Sequence, residues 1–270
     1  MVVGVSAAAE LGALRHIGDA KRAAAMALVR EGRLFDLGRE LHEGIPVFPG
    51  RHFRQTLVPN PGPALGENCV DWSHEVVSTT MQLGTHLDAL CHLRMGDAGY
   101  DGFTLADSTP AGVTRLGIET VPQIVTRGWL VDVAGRGPGE VIGLDDVGEI
   151  DVEPGDAVLF HTGWGAHWED PDRYLSGEPG PGLELGEWLA DRGVSVTGCD
   201  TWSYGPVPPE DPERPFAVPQ HLNVHHGVFI VENLDLSALA ADGVRRFALV
   251  LTHPKLRGAT GAWTSPIALV

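Results

Sequence analysis

The chain has 270 residues, 43% of them hydrophobic, with 36 acidic against 19 basic side chains and a formal net charge of -17. That length fits one large domain, or a domain with an arm, and can bury a core without disulfide or metal staples. So acidic a surface repels phosphate backbones and anionic lipid, which sets nucleic acid and membrane aside as partners and leaves a small-molecule substrate.

The three cysteines, Cys69, Cys91 and Cys199, make neither a CxxC pair nor a disulfide framework, and they read as reduced thiols of a cytoplasmic protein. No apolar run approaches the ~20 residues of a membrane span. The start of the chain has no basic stretch followed by an apolar one, so no secretory signal is expected.

In chain order, residues 1–33 read as a helical arm. Asp19 is placed to cap a helix over Ala20 to Glu31, with Gly32 as its stop, and Ala20, Ala24, Ala27 and Leu28 give it an apolar face. Residues 34–270 are expected to form the main domain. Its opening, LFDLGRELHEGIPVFPG at 34–50, reads as a short strand followed by Gly and Pro punctuation. The β-branched run at 73–83 reads as a strand leading into 84–93, where the period turns helical. Further strands are expected at 129–133, 156–162, 194–200, 227–233, 247–253 and 267–270. Helices fit 183–192, closed by Gly193, and 236–243. The Pro-rich stretch 205–219 reads as a loop. Strands outnumber helices in an irregular order, so the class is α/β with a mixed sheet rather than a doubly wound one.

The segment Gly84-Thr85-His86-Leu87-Asp88-Ala89-Leu90-Cys91-His92 carries chemistry. His86 and Asp88, two apart, share a face of an extended chain. Asp88 and His92, four apart, stack across one helical turn. A strand-to-helix junction would therefore bring two imidazoles and a carboxylate to one point, a ligand set that suits Zn²⁺ or Mn²⁺. Gly84 permits the close backbone approach such a junction needs. The competing reading is an ordinary polar turn at the surface. A second cluster runs Gln220-His221-Leu222-Asn223-Val224-His225-His226, and Glu232 closes the apolar run Val228 to Val231, where a carboxylate reads first as exposed at the strand end and second as aimed into a site. His225 and His226, beside Gly227, read as surface residues. Phe48, Trp72, Trp202 and Tyr204 are the candidate substrate-lining aromatics of segments 48–72 and 202–219, with simple packing as the competing reading. The Gly135–Gly139 stretch lacks the Lys-Ser/Thr of a phosphate loop, and no GxSxG elbow is present.

The pattern Gly84-Thr85-His86-x-Asp88-Ala89-x-x-His92 resembles the signature of the cyclase family of metal hydrolases, which includes bacterial kynurenine formamidase and isatin hydrolase. Further landmarks occur in the family's order: Leu34–Gly38, Gly44–Gly50, Thr162-Gly163-Trp164, Asp200-Thr201-Trp202, Val231–Leu234 and Leu256–Gly261. The resemblance implies a swivelling β/β/α fold, a homo-oligomer (dimer or tetramer), and one or two divalent ions held by His86, Asp88, His92 and Glu232. Two positions depart from the formamidase pattern, which has His where this chain has Gln82 and Gln220; His221, adjacent to the latter, could take its place. Amide oxygens in such a site are weaker ligands for Zn²⁺ than imidazole and tilt it toward Mn²⁺. The implied activity is hydrolysis of a small cyclic amide, formamide or lactone by metal-activated water, with His92 or Glu232 as the base. Two other readings stay open: a metal-assisted ring-forming or ring-opening enzyme of natural-product synthesis, and a metal-free binding relative.

Overall fold

The computed structural model describes residues 10–270, so residues 1–9 of the expected arm lie outside the described part. The described arm holds helix α1 (Asp19–Met26). It begins one residue earlier and ends sooner than the sequence suggests. Gly18, in extended conformation, is the cap, and Asp19 sits in the first turn, where its carboxylate complements the helix dipole and takes a 2.6 Å bond from Arg22. Ala25 is buried, Ala13 donates to the Gly227 carbonyl, and Ser195 Oγ donates to the Ala13 carbonyl at 2.6 Å. Lys21 Nζ reaches the buried Asp156 at 2.5 Å, a carboxylate that also accepts from Arg127 and Trp129.

Eleven strands matter for the site: β1 (Leu34–Asp36), β2 (Phe53–Pro59), β3 (Ser73–Thr79), β4 (His86–Asp88), β5 (Ile124–Asp132), β6 (Ala157–His161), β7 (Val196–Cys199), β8 (Phe229–Glu232), β9 (Arg246–Leu251), β10 (Gly261–Trp263) and β11 (Ile267–Leu269). Nine of them form one sheet in the order β1-β11-β9-β5-β6-β7-β8-β4-β10. The middle four, β5 to β8, are parallel, and every other pairing is antiparallel. Central parallel strands are covered on both faces and need apolar side chains in both directions. That is why β6 reads AVLFH and β8 reads FIVE with hardly a polar interruption. Phe229 and Val231 of β8 enter one core with Leu87, Leu159 and Phe247; Ile230 enters the other with Val158, Phe160 and Leu185.

Helices α2 (Leu183–Asp191), α3 (Ala217–Gln220) and α4 (Ser237–Ala241) complete the frame. The expected loop at 205–219 ends in α3, which continues into a π-helical turn, His221–His226. Strands β2 and β3 stand apart as a two-stranded ribbon in register from Phe53↔Thr79 to Pro59↔Ser73. Most of its side chains are exposed, Leu57 at 62%. Among the described residues, no helix is long and apolar enough to cross a membrane.

The thiols divide by environment. Cys91 and Cys199 are buried and Cys69 is exposed. Burial pushes the Cys91 thiol up to about 12 and that of Cys199 well above the ordinary range. Only the thiolate reacts, so at pH 8 a disulfide reagent should titrate one thiol, Cys69, in the native protein and all three after unfolding. Fast reaction of two or three native thiols would contradict this burial.

Candidate metal centre

Strand β4 lies between β8 and β10, which fixes the site by register. Glu232 is the direct partner of His86 on one side, and Gly261 is the direct partner of Asp88 on the other. Alternation places His86 and Asp88 on the same face. His86 Nε2 is 3.2 Å from Glu232 Oε2 and 3.7 Å from Asp88 Oδ1. All three residues are buried, and their ligand atoms lie within 4.8 Å of one another. The absence of a side chain at Gly261 makes the room, since a Cβ there would stand 2.8 Å from Gln82 Nε2 and 3.5 Å from Asp88 Oδ1.

His86 Nδ1 lies 2.8 Å from the Gly84 carbonyl, an acceptor only, so Nδ1 carries the proton and Nε2 offers its lone pair inward. Gly84 itself has φ +55°, and a Cβ on it would clash with Leu41 Cδ2. The same carbonyl accepts from Asn233 Nδ2 at 3.0 Å, and Asn233 Oδ1 accepts from the Tyr174 hydroxyl at 2.9 Å. Thr85 Oγ1 donates to the Asn233 carbonyl at 2.7 Å and accepts from the Arg39 amide at 2.9 Å. The residues flanking the metal motif and the residue after Glu232 therefore hold each other.

His86 Nε2 and Asp88 Oδ1 are both shielded from solvent and have no hydrogen-bond partner. Burial raises the Glu232 carboxyl above its ordinary value, and Asp88 adds to this against the pull of His86 and Arg51. Burial also works against charge on His86, but Glu232 and Asp88 outweigh it and raise the imidazole. Two carboxylates and an imidazole with free acceptor atoms make a pocket of negative potential that a divalent cation would satisfy.

The remaining candidates sit as follows. His92 follows β4 in a tight turn, its amide bonded to the Ala89 carbonyl, and not in the helix its spacing suggests. The turn still brings its Nε2 to 3.9 Å from Asp88 Oδ1, with the side chain 22% exposed. Gln82 donates its amide to Thr260 Oγ1 at 2.9 Å, beside Asp88 across Gly261. Gln220 donates to the Arg94 carbonyl at 2.7 Å. His221 stands beside His225 and His226 and is not a member of the His86–Asp88–Glu232 group, and burial together with neighbouring positive charge holds His221 and His226 below the ordinary histidine range.

Of the aromatics, Phe48 and Trp202 are together, ring centres 5.5 Å apart, with Arg51 over Phe48. Phe216 joins them edge-on to Trp202 at 6.1 Å, and the Trp202 indole N–H has no partner. The sequence reading missed Phe216; its place in the Pro-rich stretch beside the motif at 220–226 was the available signal. Tyr204 is a correction: it is fully buried against Phe160, its hydroxyl 2.6 Å from Thr197 Oγ1, so it packs the core and cannot line a pocket. Trp72 stands exposed at the end of the ribbon, its carbonyl bonded to the Asn60 amide.

Two buried acids outside the motif hold the walls. Asp200 accepts from the Thr162 amide and hydroxyl and from the amides of Gly163 and Gly165, which ties the ends of β6 and β7 together. Glu178 accepts from the amides of Trp202 and Ser203 at 2.8 and 3.1 Å and from Ser203 Oγ at 2.5 Å, so it fixes the loop that carries Trp202. Glu178 escaped the sequence reading, its only signal being a lone acid in a Gly- and Pro-rich stretch.

Fold and site together define a mixed-sheet α/β protein with a candidate divalent-metal centre where an inserted antiparallel strand meets the last parallel one. A family model described as putative cyclase matches residues 35–206. A solved structure described as a novel cyclase is 26% identical, covers 97% of this chain and 96% of its own, and superposes with a TM-score of 0.87. Isatin hydrolase A from Ralstonia solanacearum is 21% identical over 92% of this chain and 95% of its own, with a TM-score of 0.67. A predicted metal-dependent hydrolase from Bacillus stearothermophilus is 21% identical over 88% of this chain and 98% of its own, with a TM-score of 0.60. No curated protein matches in sequence. The chain belongs to the cyclase family, and it has that family's fold.

Proposed function

We propose that this chain is a metal-dependent hydrolase of a small cyclic amide, formamide or lactone. The observation that carries the reading is the pair of buried, unpartnered atoms, His86 Nε2 and Asp88 Oδ1, facing Glu232 Oε2. His86, Asp88 and Glu232 would hold one divalent ion, Mn²⁺ or Zn²⁺; when bound, it supplies a Lewis acid that acidifies water and polarises a carbonyl. The chain's own groups supply the rest. Asp88 and Glu232 compensate the positive charge, and the Gly84 carbonyl keeps the His86 ring in the ligating tautomer. His92, at the partly open side of Asp88, accepts the proton of the attacking water and returns it to the departing nitrogen or oxygen. Phe48, Trp202 and Phe216 offer an aromatic wall to a flat ring, with the Trp202 indole N–H free to bond its carbonyl.

The test is metal-free protein reloaded with Mn²⁺ or Zn²⁺ and assayed on formamides, lactams and lactones. Near-stoichiometric metal and metal-dependent turnover are expected, with ¹⁸O from labelled water in the product. Protein that takes up neither metal sinks the reading. Ring closure is the second reading, favoured by the putative-cyclase model and the 26% identical cyclase structure. A metal-dependent product without label would decide for it.

The ribbon of β2 and β3 supports self-association as a dimer or tetramer. Two strands alone are marginal in water, yet Leu57 and Val77 stand exposed on one of its faces. Light scattering should give a dimer or tetramer for the native chain and a smaller species for Leu57→Glu/Val77→Glu. A monomeric native chain, or an unchanged mass in the variant, rules out this interface.

A further inference from the structure

The π-turn His221–His226 holds three histidines that the reaction does not use. The wide winding of a π-helix brings residues four and five apart onto one side of the turn. His225 and His226, adjacent in sequence, thus both face His221, with ring centres 5.5 and 4.7 Å from it and 6.5 Å from each other. Three imidazoles tetrahedrally placed on one ion at ~2.0–2.1 Å would have ring centres about 5 Å apart. The observed spacings bracket that value. His221 Nε2 is shielded from solvent and has no hydrogen-bond partner. Glu187 and Asp191, one turn apart on α2, which packs on the π-turn, add negative potential to the histidines and are exposed. The group shares no residue with His86, Asp88 and Glu232, and it lies beyond residue 206, where the family match ends.

We propose that His221, His225 and His226 form a second, solvent-facing site for a late divalent transition metal, Zn²⁺ being the representative ion, with Glu187 or Asp191 available as a fourth ligand. Imidazole is the natural ligand of such ions, and the fixed turn pre-orders three of them. This assigns His221 to the surface site and not to the buried centre.

Equilibrium dialysis of the full chain against Zn²⁺, read by elemental analysis, tests the assignment without any assay of activity. His225→Ala/His226→Ala changes two side chains at the surface turn. It should bind one Zn²⁺ fewer per chain than the native protein, or bind that equivalent at least about ten-fold more weakly. His86→Ala should keep the equivalent that the double variant loses, whether or not the buried centre takes up metal. Native stoichiometry and affinity in the double variant would overturn the proposal, as would loss of every bound Zn²⁺ in His86→Ala alone.

Discussion

Asp88→Asn should lower divalent-metal affinity and turnover together, each by at least about ten-fold, since losing groups that merely orient ligands already costs ~10–100-fold. The replacement keeps the shape and one oxygen and removes only the charge. Asp88 is the member of the site that approaches both imidazoles, 3.7 Å from His86 Nε2 and 3.9 Å from His92 Nε2. A structural side effect can be separated by a thermal measurement. In metal-free protein, Asp88 and Glu232 are two carboxyls buried side by side, so Asp88→Asn should leave the Tm unchanged or raise it. The rise in Tm that saturating metal gives the native protein, worth about 4 kcal/mol at a thousand-fold excess over Kd, should shrink in the variant by at least about 1.4 kcal/mol at the same metal concentration. Gln82→Ala, which removes a neutral amide bonded to Thr260, should cost clearly less metal affinity. Full metal binding and activity in Asp88→Asn would show that the ion is held elsewhere.

The second large effect belongs to Asn233, which is not one of the three residues of the candidate centre. It has φ +56°, where asparagine is tolerated far better than alanine. Its side chain, buried, donates to Gly84 and accepts from Tyr174. Asn233→Ala removes one of two bonds from the Gly84 carbonyl, which keeps His86, and one of two from the Tyr174 hydroxyl, which keeps the Asp200 carbonyl, and it retains the backbone strain, so unfolding free energy should fall by about 1–3 kcal/mol. Asn233→Gly relieves the backbone and not the lost bonds, and should recover about 1 kcal/mol of it. Denaturant unfolding of both variants checks the order. Equal losses would mean that the backbone conformation costs nothing there.

What could be read from the sequence follows the range of the interactions involved. The His86–Asp88 pairing was legible because alternation on a strand is local, and the parallel strands were legible because burial on both faces writes an unbroken apolar run. The His92 geometry was right for a different reason than expected, since a tight turn after Asp88 delivers four-residue proximity as well as a helix does. The pairing of Glu232 with His86 was not derivable from pattern. It depends on β4 inserting between β8 and β10, a matter of tertiary register. Tyr204 and Phe216 could not be told apart in the sequence for a similar reason. Both are aromatics of one Pro-rich stretch, and only the strand beneath Tyr204 decides that its hydroxyl meets Thr197 while Phe216 turns toward Trp202.

The insertion of β4 also bears on when the centre comes into being. Gly84 and Asn233, whose bond braces it, are 149 positions apart, and Gly261 arrives later still. The parallel strands β5 to β8 follow one another along the chain and can zip in succession. The pocket, by contrast, closes only when an early segment returns to the edge that a late one has just built, the kind of long loop closure that slows folding. An ion bound between His86 and Glu232 would then act as a non-covalent clasp on the last seam to form. It would lengthen the lifetime of the folded protein by slowing the opening of that seam, and do little to hasten the search that precedes it.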